Sequence, residues 1–207
     1  MTRVVVTILA AAFFCSVTQV QASPITYSLT STATGTLGAS SFTNALVTVT
    51  VTGDTANVMP FGPVVFNTGA ATVSVGGVGT ATFTDPIEIF STLNDLNIFG
   101  VPAVVILDGP LGSGTGILLQ TGSVFLTYDL RGPLGPISGP GGVASGSQIT
   151  PIFPTTAGNL TWAIGQPLGT STFTAVVTPE PGTLLLLGSG LAALFAPGRY
   201  KRTRLTR

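Results

Sequence analysis

Residues 47–52 read Val47-Thr48-Val49-Thr50-Val51-Thr52, a strict alternation of apolar and hydroxyl side chains. A β-strand turns successive side chains to opposite faces, so this pattern buries the valines and leaves the threonines to solvent. A helix, with 3.6 residues per turn, would scatter both kinds around its axis. The alternation recurs in Ala71-Thr72-Val73-Ser74-Val75 and Thr80-Ala81-Thr82-Phe83-Thr84, with Gly76-Gly77 between them as a tight hairpin turn. Residues 25–29, 124–128, 160–164 and 172–177 predict further strands. The continuous apolar runs at 104–107 and 117–119 predict strands buried on both faces. Residues 91–96 allow a turn or two of helix at most, and the Gly- and Pro-dense stretch 131–154 predicts a long surface loop. Many short strands separated by turn residues predict an all-β fold, an antiparallel β-sandwich or a barrel-like closure.

Composition narrows the chemistry. Charged residues make up only 7% of the 207, against roughly 25% in an ordinary soluble domain. Leu, Ile, Val and Phe are nevertheless plentiful enough to build a core. The sequence has no His, which removes His-based triads and His-ligated metals, and its lone Cys15 excludes an intramolecular disulfide. Between residues 23 and 180, Asp54, Asp85, Glu88, Asp95, Asp108, Asp129 and Glu180 stand against a single base, Arg131. That balance leaves no electrostatic footprint for nucleic acid, and no nucleic-acid partner is expected. Solubility falls to Thr and Ser hydroxyls, which suit the solvent face of a strand and could also carry O-glycans.

The two ends read as addresses. Residues 1–22 have the layout of a secretory signal peptide: Arg3, an apolar stretch over 4–17, and Val20-Gln21-Ala22 as a small-residue cleavage site. Cleavage between Ala22 and Ser23 would remove Cys15 with the leader. At the other end, Thr178-Pro179-Glu180-Pro181-Gly182-Thr183 precedes an apolar run over 184–195, then Arg199, Lys201, Arg202, Arg204 and Arg207. Such a cluster of cations holds the far end of an apolar helix on the cytoplasmic side. At about 1.5 Å per residue, residues 182–197 reach about 24 Å, short of a hydrocarbon core of about 30 Å. A marginal span of this kind suits a transient insertion better than a permanent anchor.

Pro179-Glu180-Pro181, the apolar run and the basic cluster together resemble the PEP-CTERM sorting signal of exported bacterial proteins, with Thr178 where that signal usually has Val. The resemblance implies export by the general secretion machinery, then recognition of Pro179, Glu180 and Pro181 by an exosortase, an integral-membrane cysteine protease. It implies a stage in the inner membrane, with a short C-terminal transmembrane helix held by Arg199, Lys201, Arg202 and Arg204. Processing would then pass the protein to the cell envelope, cell surface or extracellular matrix, where exopolysaccharide is the implied partner. The expected layout is a signal peptide over 1–22, a β-rich extracytoplasmic domain over 23–178, and the sorting signal over 179–207.

The chemistry-bearing motifs of the central domain are few. Gly-x-Ser-x-Gly and the phosphate-binding P-loop do not occur. Gly139-x-Gly141-x-x-Ala144 has dinucleotide-binding spacing but lies in a Pro-rich stretch with no helix after it. A non-enzymatic role without a cofactor is the expectation. Two alternatives stand beside it. One is a carbohydrate-binding, lectin-like β-sandwich. The other is a β-sandwich glycan hydrolase using Asp85 with Glu88, Asp95 or Asp108 as paired carboxylates, against which stands that Trp162 is the single indole to stack on a sugar ring. Asp85, Glu88 and Asp95, with Asn94 and Asn97 close by, are also the candidates for calcium, which takes hard oxygen ligands. The plain reading of the same residues is that they end strands and shape turns.

Overall fold

The computed structural model describes residues 22–92, 101–109, 115–144 and 151–179. Its strands are β1 Pro24–Leu37, β2 Ser40–Asp54, β3 Met59–Phe61, β4 Val64–Val75, β5 Gly79–Thr82 and β6 Ile87–Thr92. They continue with β7 Ala103–Asp108, β8 Thr115–Thr121, β9 Leu134–Val143, β10 Ile152–Thr155, β11 Gly158–Trp162 and β12 Gly169–Val177. Two short 3-10 turns, Thr55–Asn57 and Ser123–Leu126, are the only helical elements among the described residues.

Eight strands pair in chain order, β1-β2-β4-β6-β7-β8-β9-β12, and β12 pairs back onto β1. Every pairing is antiparallel. The expected all-β fold is therefore a closed up-and-down barrel, which removes the sheet edges that would otherwise template aggregation. Because neighbours alternate in direction, one end of the barrel gathers the starts of β1, β4, β7 and β9 and the ends of β2, β6, β8 and β12. The sorting tail leaves from this end, since β12 stops at Val177.

The remaining strands make a second, smaller closure at the opposite end. Past the irregularity between Ala33 and Gly35, β1 exchanges β12 for β11. β10 pairs β11, and β5 pairs β4. Phe83 bridges Thr155, and the backbone bonds Thr84 N to Pro154 O (3.1 Å) and Thr156 N to Thr82 O (2.8 Å) complete the ring. At the β1 break, Thr34 donates its backbone N–H to Gln166 Oε1 at 2.6 Å and accepts from Gln166 Nε2 at 2.9 Å. A side-chain amide carries one donor group and one acceptor, as a peptide does, so Gln166 substitutes for the missing strand neighbour.

Alternation places the core as the sequence requires. Ile25, Tyr27 and Leu29 of β1, Val47, Val49 and Val51 of β2, and Phe173 of β12 are fully buried inside. An eight-stranded barrel is just wide enough to be filled by its own side chains. Two aromatic groups do the filling. Phe173 contacts Tyr27, Phe125 and Tyr128 with ring centroids 5.7–6.5 Å apart. Trp162 sits 6.2 Å from both Phe42 and Phe153 in the smaller ring. The run 104–107 is buried on both faces as expected. Val104 and Ile106 point into the barrel, while Val105 and Leu107 join Val64, Phe90 and Ala103 in a second buried cluster on the outer wall.

Three local expectations are corrected. Residues 124–128 are not a strand. They form part of a 3-10 turn and its exit, with Phe125 and Tyr128 plugging the barrel end against Phe173. Residues 131–154 are not one long loop, because they contain β9 and the start of β10. Ser91 and Thr92 close strand β6 and do not begin a helix.

Candidate functional site

The sorting junction is set by the last turn of the barrel. Thr178 N donates to Pro24 O at 2.9 Å, and the next residue is Pro179. β12 makes its seven pairings with β1 through Ser171–Val177, so nothing beyond Thr178 is needed to close the barrel. Pro179 is the last described residue. Glu180, Pro181, the apolar run and the cations Arg199, Lys201, Arg202 and Arg204 lie outside the described residues, as does most of the leader. Ala22 and Ser23 are described and lie directly before β1, where Ser23 O accepts from Thr55 N at 3.0 Å. Ala22, Ser23 and Pro179 therefore flank the folded barrel, at the end where β1 starts and β12 stops.

A clasp of polar groups seals that end. Tyr27 Oη donates to Leu130 O at 2.6 Å and accepts from Asn67 Nδ2 at 2.9 Å. Asn67 Nδ2 also reaches Asp54 O at 3.1 Å. Arg131 donates from its guanidinium to Val58 O at 2.9 Å, tying the segment after the 3-10 turn to the β2–β3 connection. Burial pushes the Tyr27 phenol up to about 12, opposed in part by the Asn67 hydrogen bond. Burial raises Tyr128 as well, with Tyr27 and Asp129 adding to it.

The carboxylates gather elsewhere. Asp85, Glu88 and Asp108 line a pocket of about 380 Å³ with Thr68, Pro86 and Gly109, at the barrel end away from the tail. Burial raises the Asp108 carboxyl above the ordinary aspartate value, and the neighbouring charge of Asp85 raises it further. Asp95, Asn94 and Asn97 lie outside the described residues. Among the described residues, no group of three or more acidic side chains is placed to hold a metal ion. Among the described residues, Asp108 is the carboxylate the fold brings to Asp85 and Glu88. The register of β6 with β7, pairing Ile87 with Asp108, does this, and no local sequence signal announces it. Trp162 is 1% exposed, wedged in the core where no sugar can stack on it. Gly139 and Gly141 belong to strand β9, not to a phosphate-binding loop.

One surface feature is hinted at strand by strand in the alternation but assembled only by the fold. Ser138, Thr172, Thr30, Thr48, Ser74 and Thr80 lie in register across β9-β12-β1-β2-β4-β5. A second row, Thr174, Ser28, Thr50, Thr72 and Thr82, runs beside it. Within the rows, hydroxyls meet at 2.9 Å (Ser138 with Thr172, and Thr30 with Thr48), 3.2 Å (Thr80 with Ser74) and 3.3 Å (Ser28 with Thr50). Strands stand about 4.8 Å apart and alternate residues about 6.7 Å along each, so the outer wall carries a two-dimensional hydroxyl grid. Neither row contains a charged residue. Each hydroxyl offers one donor and two acceptor sites, so the mutual bonds leave further capacity facing outward.

No curated protein and no solved structure matches the chain. Residues 177–196 match the family described as the PEP-CTERM protein-sorting motif, a match that starts at the last residue of β12. The chain is thus an exported β-barrel protein that carries a PEP-CTERM sorting motif, the substrate signal of an exosortase.

Proposed function

We propose that this barrel is a non-enzymatic component of the cell envelope or exopolysaccharide matrix, holding neutral polysaccharide along its hydroxyl grid. The observation that carries the reading is the pair of in-register rows on the outer wall, Thr30–Thr48–Ser74 and Ser28–Thr50–Thr72 at their centre. A rigid, uncharged array of donors and acceptors at strand spacing complements a polymer that repeats hydroxyls along its length. Many weak contacts of this kind add by multivalency, and ionic strength screens none of them.

The test is co-sedimentation of the exported protein with exopolysaccharide from its own host. Binding is expected to persist at high salt and to fall sharply in a Thr50→Val/Thr72→Val variant that keeps the wild-type unfolding midpoint. Equal binding by that variant would remove the grid from the proposal.

A glycan hydrolase is the second reading, favoured by Asp108 with its raised carboxyl beside Asp85 in one pocket. Two carboxyl groups lining one pocket, one of them raised by burial, are the kind of pair that general-acid glycoside cleavage uses. Release of reducing ends from the same polysaccharide, lost in Asp108→Asn, would establish it in place of the first.

A further inference from the structure

We propose that the tail end of the barrel is a membrane-docking surface, seated on the outer leaflet of the inner membrane while the sorting tail is still attached. The proposal rests on the reading of residues 184–195 as membrane-inserted. The chain geometry then sets the distance. Thr178 is pinned to Pro24 by a 2.9 Å hydrogen bond, and the apolar run starts at Leu184. The six Cα–Cα steps from Thr178 to Leu184 reach at most about 22 Å when fully extended. Roughly 6 Å of that is consumed in crossing the headgroup layer. The point where the tail leaves the barrel is therefore held within about 16 Å of the lipid surface, whatever its orientation.

That end carries the apolar groups such contact would use. Phe61 is 62% exposed and Met59 52%, both on the short strand β3, whose sequence Met59-Pro60-Phe61-Gly62-Pro63 has no charge. Val101, before β7, and Val176, near the end of β12, are also exposed at the same end. An exposed aromatic and a Met on a rigid hairpin are the groups that enter the headgroup–acyl boundary at low conformational cost. The charge distribution agrees. Asp85, Glu88 and Asp108 line their pocket at the far end, away from an anionic leaflet. At the tail end the carboxylates are engaged locally: Asp54 accepts from Ala56 N at 2.8 Å and Asp129 from Arg131 N at 3.0 Å, beside the cationic Arg131. Docking would hold Pro179-Glu180-Pro181 at the membrane surface, where an integral-membrane protease reaches.

The test uses the full chain reconstituted in vesicles of phosphatidylethanolamine and phosphatidylglycerol, with a tryptophan reporter placed at Phe61→Trp or, at the opposite end, at Val78→Trp. Trp162, enclosed in the core, supplies a constant background. The Phe61→Trp emission is expected to shift to the blue and to be quenched by lipids brominated near the headgroup, as a shallowly buried ring is. Val78→Trp is expected to respond to aqueous quencher only. Flotation of the same samples reports insertion of the tail separately. Chain that fails to float overturns the tail reading and the docking with it. Chain that floats while both reporters stay aqueous overturns the docking alone. A Phe61→Trp reporter that becomes shielded only when exosortase is added to the vesicles assigns this surface to the protease and overturns the lipid assignment.

Discussion

Tyr27→Phe is the sharpest probe of how the tail end is built. The substitution keeps the ring against Phe173 and removes one oxygen. That oxygen donates to Leu130 O and accepts from Asn67 Nδ2, all of them buried. Its loss leaves the Leu130 carbonyl and one Asn67 donor direction without a partner, in a site where Asn67 Oδ1 already has none. At about 1–3 kcal/mol for each of the two buried groups stranded, the expected cost at pH 7 is about 2–6 kcal/mol. A second signature appears at high pH. The folded Tyr27 phenol is raised to about 12 from 10.0, so its neutral form belongs to the folded state. Stability is complete below about pH 10 and falls between pH 10 and 12 as the unfolded chain ionises first. At 1.36 kcal/mol per pH unit this amounts to about 2–3 kcal/mol. In Tyr27→Phe that alkaline loss shrinks to the part belonging to Tyr128, whose phenol is raised too. Urea unfolding of the exported protein at pH 7 and across pH 9–12 measures both. A midpoint at pH 7 within 0.5 kcal/mol of wild type, roughly the scatter of a surface substitution, together with an unchanged alkaline slope, would refute the clasp.

Replacing Pro179-Glu180-Pro181 by alanines is expected to leave export intact but to accumulate full-length precursor in the membrane fraction, read with a C-terminal epitope tag in a host that carries an exosortase. Gln166→Ala strands the Thr34 N–H at the β1 break and should cost about 1–3 kcal/mol in thermal or urea unfolding; an unchanged midpoint would mean water replaces the amide. Asp108→Asn tests the acidic pocket. Because the folded carboxyl is raised by burial and by Asp85, its protonated form is favoured in the fold, so its contribution is fullest below the unfolded value and is lost as pH rises. The variant should therefore be the more stable protein at pH 7, with the difference closing toward pH 3, as followed by unfolding midpoints at the two pH values.

Much of this protein follows from its sequence alone, because side-chain period is a local property. Val47–Thr52 had to be a strand with one wet face, and the run 104–107 had to be covered on both sides. The tail was legible for a similar reason: Pro179-Glu180-Pro181, an apolar run and a basic cluster are contiguous, and the match over 177–196 agrees. β9 escaped that reading because the signal was erased where the wall crowds. A Cβ on Gly141 would overlap the Leu119 carbonyl oxygen and Ser171 Oγ, so this position admits only glycine and offers no apolar residue to count. Its prolines, Pro136 and Pro140, precede the ladder to β8, which begins at Gly141, so their missing N–H groups cost that ladder nothing. Residues 124–128 misled in the opposite direction, since Phe125 and Tyr128 answer to the Phe173 ring and not to a strand partner. Closure of β12 onto β1, the join of β5 to β10 through Phe83 and Thr155, the six-strand hydroxyl row and the meeting of Asp85 with Asp108 depend on register between distant segments. Register is decided by which faces can be buried together, and only the assembled barrel fixes that.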